Sequence, residues 1–102
     1  MPTARIASGH TAPGQGWQAY GPNGIYIDVD TTAAHFTGAP VYVTSIGSTG
    51  GNQWSLVGPS AVYDATASKF RVYVQWKDSR PLTPAIAQQY GWYINWIGYD
   101  NP

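Results

Sequence analysis

The chain has 102 residues, a formal net charge of zero and no cysteine. This length predicts a single domain, residues 1–102, and the absence of cysteine excludes disulfides and thiolate metal sites. Charged residues make up only 10% of the chain, against about 25% in an ordinary globular domain. Nucleic acid and anionic membranes both select a concentrated basic surface, so the composition argues against both partners.

Targeting signals are not evident in the sequence. No apolar run approaches the roughly 20 residues that are needed to cross a bilayer. The first five residues, Met-Pro-Thr-Ala-Arg, lack the apolar segment of a signal peptide. We therefore expect no membrane insertion.

The first half of the chain alternates short strand patterns with turns that are rich in Gly and Pro. Strands are predicted at residues 5–8, 24–30 and 41–46. The second is the clearest, because Ile25, Ile27 and Val29 share one face while polar residues and Tyr26 occupy the other. A turn is predicted at 18–24, and an interrupted strand at 54–63, broken at Gly58-Pro59.

The last third carries the strongest pattern, with strands predicted at 70–76 and 91–99. Phe70, Val72, Val74 and Trp76 alternate with polar or amphipathic residues, which is the period of a half-buried strand. Between these strands Thr83 is predicted to cap a short helical turn near residues 84–90. Pro84 would take its first position, and Gly91 would end it. The total is an all-β domain of about six strands, arranged as a sandwich or a barrel.

Two tryptophans at the ends of predicted strands are candidates for ligand contact. Trp76 is followed by Lys77 and Asp78, so an indole face could stack on a pyranose while the two polar residues bind its hydroxyls. Trp54 stands beside a stretch of Gly, Asn and Gln and offers the same combination. For each tryptophan the alternative is a core position, with Lys77 and Asp78 forming an ordinary charged turn.

The closing strand favours packing over binding. Trp92 and Trp96 share a face, which predicts a core position for both. Asn95 lies on the opposite face, where it either meets water or forms a hydrogen-bonded polar layer between subunits.

Catalytic chemistry has little support in this sequence. Glutamate is absent, and Asp28 and Asp30, which share a strand face, have no apolar pocket to tune them as a glycosidase pair. His10 and His35 lie in separate loops, and no serine occupies a strand-to-helix elbow. We expect a protein that is not an enzyme and that uses no cofactor and no metal.

The order of landmarks along the chain resembles the H-type lectin domain of snail agglutinins and discoidin C-terminal domains. The matching positions run through most of the chain: Ser8-Gly9, Gly16-Trp17, Phe36, Pro40-Val41, Ser45-Ile46, Tyr63, Phe70, Trp76 and Trp96-Ile97. The resemblance implies a six-stranded antiparallel β-sandwich that binds galactose or N-acetylgalactosamine without a metal. It also implies a homotrimer, or a multiple of one, at an extracellular or particle surface.

The resemblance further implies where a sugar site would lie, between neighbouring subunits. Trp76 and Lys77 fall at the strand end whose aromatic and polar residues touch sugar in the family. The position that the family fills with arginine falls near Ser55 or Val57. The early loop that supplies an acidic residue in the family holds, among others, Tyr20 and Asn23 here.

A second function from a different class stays open at this point. The same aromatic faces would serve a structural or assembly domain, such as a receptor-binding tip of a pilus, a phage tail fibre or a similar particle. In that case the tryptophans would pack subunits together and would contact no ligand.

Overall fold

The computed structural model describes residues 4–101, which form seven strands, one α-helix and two 3₁₀ turns. The strands in chain order are β1 Arg5–His10, β2 Trp17–Tyr20, β3 Gly24–Asp30, β4 Val41–Gly47, β5 Leu56–Val57, β6 Lys69–Trp76 and β7 Tyr93–Asp100. The helix α1 covers Pro84–Tyr90, and the 3₁₀ turns cover Thr32–Ala34 and Gln53–Ser55. The prediction of a mostly β domain with a short helix at 84–90 is confirmed.

The strands pair into two antiparallel sheets. Three strands form a sheet in the order β1-β7-β4, and four form a sheet in the order β2-β3-β6-β5. The longest register in the second sheet joins β3 to β6, from Gly24 opposite Gln75 to Asp30 opposite Lys69. Residues that stand directly opposite each other in such a pair share a face. The two alternating patterns therefore coincide, and all their apolar side chains lie on one side of the sheet.

The inward faces of the two sheets meet in one core, which gives the molecule its sandwich arrangement. Ile25, Val72, Trp92 and Ile94 are fully buried. The strands of both sheets contribute to the same cluster: Trp17, Ile25, Ile27, Val29, Tyr42, Leu56, Phe70, Val72, Val74, Trp76 and Ile94. Full burial of one such aliphatic or aromatic side chain contributes about 1.5–3 kcal/mol, so this cluster supplies the main stabilisation of the fold.

Polar groups that enter the core find partners there. The hydroxyls of Thr31 and Tyr42 lie 2.7 Å apart, and Tyr42 also donates to the backbone carbonyl of Thr66 at 2.7 Å. The buried carboxylate of Asp100 accepts hydrogen bonds from the backbone and the hydroxyl of Thr37, at 2.8 and 3.1 Å. Within residues 4–101, no buried side-chain nitrogen or oxygen lacks a partner. This satisfaction is typical of a uniquely packed interior.

The helix begins and ends where the sequence predicts. Pro84 takes the first turn, and Gly91 follows the last residue with a left-handed φ of 62°. A side chain at Gly91 would also collide with the hydroxyl of Thr49, so glycine is required there for space as well as for conformation. The capping role predicted for Thr83 is only partly seen. Its backbone is extended, as at an N-cap, but its hydroxyl makes no capping hydrogen bond.

The number of strands is the main correction to the sequence analysis. The segment 18–24, predicted as a turn, contains most of β2, which pairs with β3 from Trp17 opposite Ile27 onward. The strand predicted at 54–63 is reduced to the two residues of β5 and an isolated bridge between Tyr63 and Arg71. Glycine and proline in the middle of that segment prevent continuous pairing. Seven strands therefore replace the predicted six.

The outer face of the three-stranded sheet is apolar and open to solvent, and we call it the aliphatic face. The register places Ile6 and Val41 on either side of Tyr99, and Val43 beside Ile97. Each of these five side chains is at least 43% exposed. Asn95, on the same face, donates to the hydroxyl of Ser45 at 3.3 Å. An exposed, adjoining set of this kind is typical of a surface that contacts another molecule.

Candidate functional site

The outer face of the four-stranded sheet is built from aromatic and polar side chains. The register that buries the apolar residues of β3 and β6 turns Tyr26 outward opposite Tyr73. One row further along, Gly24 lies between Tyr20 on β2 and Gln75 on β6. The ring of Tyr20 lies 4.9 Å from that of Tyr73, measured between centroids. The alternation of three strands therefore collects tyrosines on one surface.

Two of these tyrosines, Tyr20 and Tyr73, line an open cleft of about 550 Å³ together with Tyr63, and we call it the tyrosine cleft. Tyr73 forms its floor. The rings of Tyr20 and Tyr63 meet the Tyr73 ring edge-on, at centroid distances of 4.9 and 5.1 Å and interplanar angles of 63° and 86°. Tyr20 is 60% exposed and Tyr63 is 49% exposed. Two accessible aromatic walls thus stand over one aromatic floor, with polar atoms of Asp64 and Gln75 in the lining.

A glycine allows the loop after β5 to lie against β6 at the cleft. Gly58 has a φ of 102°, and a Cβ atom there would lie 2.3 Å from the carbonyl oxygen of Tyr73. Its own carbonyl accepts a hydrogen bond from the backbone of Ala61 at 3.0 Å. Beyond this turn, two backbone hydrogen bonds of 2.8 Å join Tyr63 to Arg71. The turn and the bridge together position the second wall of the cleft.

An ion pair supports the floor of the cleft from the side. Asp28 accepts two hydrogen bonds from the guanidinium of Arg71, at 2.7 Å from Nε and 3.0 Å from Nη2. The same guanidinium lies 4.1 Å above the ring of Tyr26, and its Nη1 donates to the hydroxyl of Tyr73 at 3.2 Å. This hydrogen bonding from Arg71 lowers the pKa of Asp28 below its ordinary value. The carboxylate is therefore ionised at neutral pH and holds Arg71 against both tyrosines.

Trp54 is not part of the cleft lining, but it lies three residues before Val57, which is, and it is 77% exposed. The ammonium of Lys77 stands over its indole, 4.6 Å from the ring centroid. A backbone hydrogen bond of 2.9 Å from Lys77 to the carbonyl of Ser55 fixes the two segments side by side. Three of the residues predicted from the sequence, Trp54, Ser55 and Lys77, are thus neighbours in the structure.

Trp76 does not have the exposed position that the binding prediction requires. It is only 5% exposed, and its ring packs edge-on against Trp92 at 5.4 Å between centroids. The guanidinium of Arg80 lies 4.3 Å above the ring. The physical reason is the alternation of β6, which turns Trp76 inward together with Phe70. The structure therefore selects the core alternative, and the ring is not open to a sugar.

The remaining predicted residues lie in different places. Tyr20 is a wall of the tyrosine cleft. Asn23 is exposed in the turn between β2 and β3. Asp78 faces Arg80, with 3.8 Å between Oδ1 and Nε, and also accepts a hydrogen bond from the backbone of Arg80 at 3.3 Å. Asp30, considered above as a catalytic group, is bound by the hydroxyl and backbone of Thr32.

Sequence reasoning missed most of the tyrosine cleft. Tyr73 and Gln75 alternate with the apolar residues of β6, and that outward pattern was a usable signal for a recognition face. Tyr63 and Asp64 had no comparable signal, because the bridge that brings Tyr63 to β6 joins distant parts of the chain. Asp64 also has a left-handed φ of 55°, which turns the chain towards the cleft.

Three further observations concern membrane-crossing helices, metal ligands and similarity to known proteins. No helix within residues 4–101 combines the length and apolar character that a membrane crossing requires. In the same range, no three His, Asp, Glu or Cys side chains come together as possible metal ligands. In comparisons with known proteins, no family model, curated protein or solved structure matches this chain.

Proposed function

We propose that this domain binds carbohydrate through the tyrosine cleft, without a metal ion. The observation that carries the proposal is the pair of exposed rings, Tyr20 and Tyr63, that stand at steep angles to the floor ring of Tyr73. Aromatic rings bind the apolar faces of sugars, and tyrosine hydroxyls remain available to solvent and to sugar hydroxyls. Asp64 and Gln75 add a carboxylate and an amide, which accept and donate hydrogen bonds to hydroxyl groups.

The size of the cleft is suited to a small ligand. Its volume of about 550 Å³ lies within the roughly 300–1,000 Å³ that is typical of small-molecule sites. A sugar unit in the cleft can contact the exposed rings of Tyr20 and Tyr63, and the open top of the cleft allows a longer glycan to continue outward.

The resemblance to H-type lectins supports carbohydrate binding in general and adds an oligomer, but the tyrosine cleft is a different place from the site between subunits that the resemblance implies. We propose a galactose-type or N-acetylgalactosamine-type ligand, and a homotrimer or a multiple of one that acts at an extracellular or particle surface. The aliphatic face is the surface that we assign to the contacts between subunits. Single shallow sites bind weakly, and linkage of several sites in one assembly raises the effective affinity by orders of magnitude.

Glycan-array screening of the purified domain, followed by calorimetry, tests the proposal. Replacement of Tyr20 or Tyr63 by Ala is expected to weaken binding at least tenfold, because each ring supplies one wall of the cleft. In calorimetry, which measures single-site affinity, Tyr99→Ala is the matched control, since this tyrosine is similarly exposed but lies on the opposite sheet, in the aliphatic face. A folded wild-type domain that binds no glycan at high density contradicts the proposal, and so does equal weakening of the single-site affinity by all three substitutions.

A second candidate function, a structural or assembly domain, is favoured by the aliphatic face. Val43 and Ile97 stand side by side on it and are 62% and 46% exposed. Light scattering separates the two functions. If Val43→Asp dissolves an oligomer while single-site glycan affinity is unchanged, assembly serves the lectin. If the wild-type oligomer forms and no glycan binds, assembly itself is the function.

A further inference from the structure

We infer that Trp54 and Lys77 form a second subsite, which adjoins the tyrosine cleft and accepts an acidic sugar unit of the same glycan. The inference rests on the proposed carbohydrate-binding function and extends it to the class of ligand. Within residues 4–101, Trp54 is the most exposed of the large hydrophobic side chains, at 77%. Contact with a ligand removes such a surface from water, which is favourable in proportion to the apolar area covered.

The loop that presents Trp54 is held in place by a series of hydrogen bonds. Ser48 donates to the side-chain carbonyl of Gln53 at 2.8 Å and accepts from the backbone of Gly51 at 2.7 Å. The carbonyl of Gly51 in turn accepts from the indole nitrogen of the buried Trp92 at 2.8 Å. The exposed indole is therefore attached to the core through a short rigid path. An ordered aromatic platform of this kind loses little conformational entropy when it binds.

Lys77 gives the platform a positive charge that, within residues 4–101, takes part in no salt bridge. Its ammonium lies 4.6 Å from the centroid of the Trp54 ring. In the described part of the chain, the salt bridges join Arg71 to Asp28 and Arg80 to Asp78, and Lys77 takes part in neither. A carboxylate that reaches the edge of the indole can therefore pair with this ammonium through a charge-assisted hydrogen bond.

The subsite is close enough to the tyrosine cleft for one ligand to reach both. Val57 lines the cleft and pairs with Gln75 across the strands β5 and β6. Trp54 is three residues from Val57, which limits their separation along the chain to about 10 Å. A short oligosaccharide covers such a distance. The charges also set its direction, because Asp64 in the cleft repels a carboxylate that Lys77 attracts.

The test compares two oligosaccharides that are identical except at one unit, a hexuronic acid in one and the corresponding neutral hexose in the other. Wild-type protein is expected to bind the acidic form roughly fivefold to tenfold more tightly at low salt, with a smaller preference at high salt. Lys77→Gln should abolish the preference, so that the acidic and the neutral form bind this variant with equal affinity. Lys69→Gln, which removes a lysine from the opposite end of β6, is the matched control and should keep the preference.

The role of the indole has its own readout. Trp54→Ala should weaken the binding of both oligosaccharides severalfold, because stacking does not depend on the carboxylate. Equal binding of the two forms by wild-type protein overturns the inference, and so does a preference that survives Lys77→Gln. After either of these results, neutral sugar binding that is weakened by Tyr20→Ala would still support the proposed function and would contradict only the acidic subsite. If no glycan binds at all, both the proposed function and the subsite are contradicted.

Discussion

Replacement of Trp76 by Ala tests whether this tryptophan belongs to the core of the domain or to an exposed surface. The side chain is 5% exposed and fills the space between β5, where Leu56 is its partner in register, and the ring of Trp92. Truncation of a buried tryptophan to alanine costs about 3–5 kcal/mol, through lost burial and the cavity left behind. A domain of this size has a total stability of about 5–15 kcal/mol. The substitution should therefore remove a large part of the stability and leave a marginally folded protein.

Thermal and urea unfolding, followed by tryptophan fluorescence, measure the effect. A loss of 1 kcal/mol lowers Tm by about 4–8 °C in a domain of 60–100 residues, so the Tm of Trp76→Ala should fall by at least about 12 °C. Trp54→Ala is the matched control, because it removes the same side chain from a position that is 77% exposed. Its free energy of unfolding should change by less than about 0.5 kcal/mol.

The opposite pattern would refute the assignment of Trp76 to the core. In that case Trp76→Ala would unfold at the wild-type temperature and lose glycan binding, as expected for an exposed stacking residue. A large loss of stability in Trp54→Ala would likewise contradict the structure, since it would mean that this indole packs against the protein.

Three further substitutions test the surroundings of the cleft and the buried carboxylate of Asp100. Gly58→Ala should destabilise the fold by at least about 2 kcal/mol in urea unfolding, because the left-handed backbone and the nearby carbonyl leave no room for Cβ. Asp28→Asn should lower the free energy of unfolding by less than about 1 kcal/mol, since the ion pair with Arg71 is partly exposed. Calorimetry should also show weaker glycan binding, because Arg71 then holds Tyr73 less firmly. Hydrogen bonds from Thr37 lower the pKa of Asp100 in the folded state. The ionised carboxylate therefore stabilises the fold at pH values above its unfolded pKa of about 3.9. This stabilisation is lost as the pH falls through the lower pKa of the folded state. Acid unfolding of Asp100→Asn should therefore be less steep below about pH 4 than that of wild-type protein, whereas an equal slope contradicts the role of this carboxylate.

The regular parts of the fold could be predicted because their signals are local. The period of two in β3 and β6 follows from a few neighbouring residues, and so do Pro84 and Gly91 at the ends of the helix. The same local pattern also predicts that the side chain of Trp76 points into the core, because Trp76 shares a face with Val72 and Val74. Its place at the strand end, beside two charged residues, suggested exposure, but the alternation decides which way the side chain points.

The candidate site could not be predicted in the same way, because its walls come from distant segments. Tyr20 is the last residue of β2, and the turn residues Gly-Pro-Asn-Gly follow it directly. These turn residues mask the short strand in the sequence, although β2 and β3 form a hairpin. Tyr63 reaches the cleft only after the chain turns at Gly58 and bridges to Arg71. Backbone conformations with positive φ decide both the turn and the position of Asp64. Their effect is to bring Tyr63 and Asp64, whose own neighbours give no hint of a site, to the tyrosines of the sheet.

The two outer faces of the sandwich differ in polarity, and this difference is the main argument for the proposal of a ligand-binding domain that also forms oligomers. One face presents tyrosine rings, amide and carboxylate groups, which suit a hydroxylated ligand. The other presents Ile6, Val41, Val43, Ile97 and Tyr99. The core lies between them, so a partner on the aliphatic face leaves the tyrosine cleft uncovered. Assembly through one sheet would therefore multiply copies of a site on the other, and this arrangement turns weak single contacts into strong attachment.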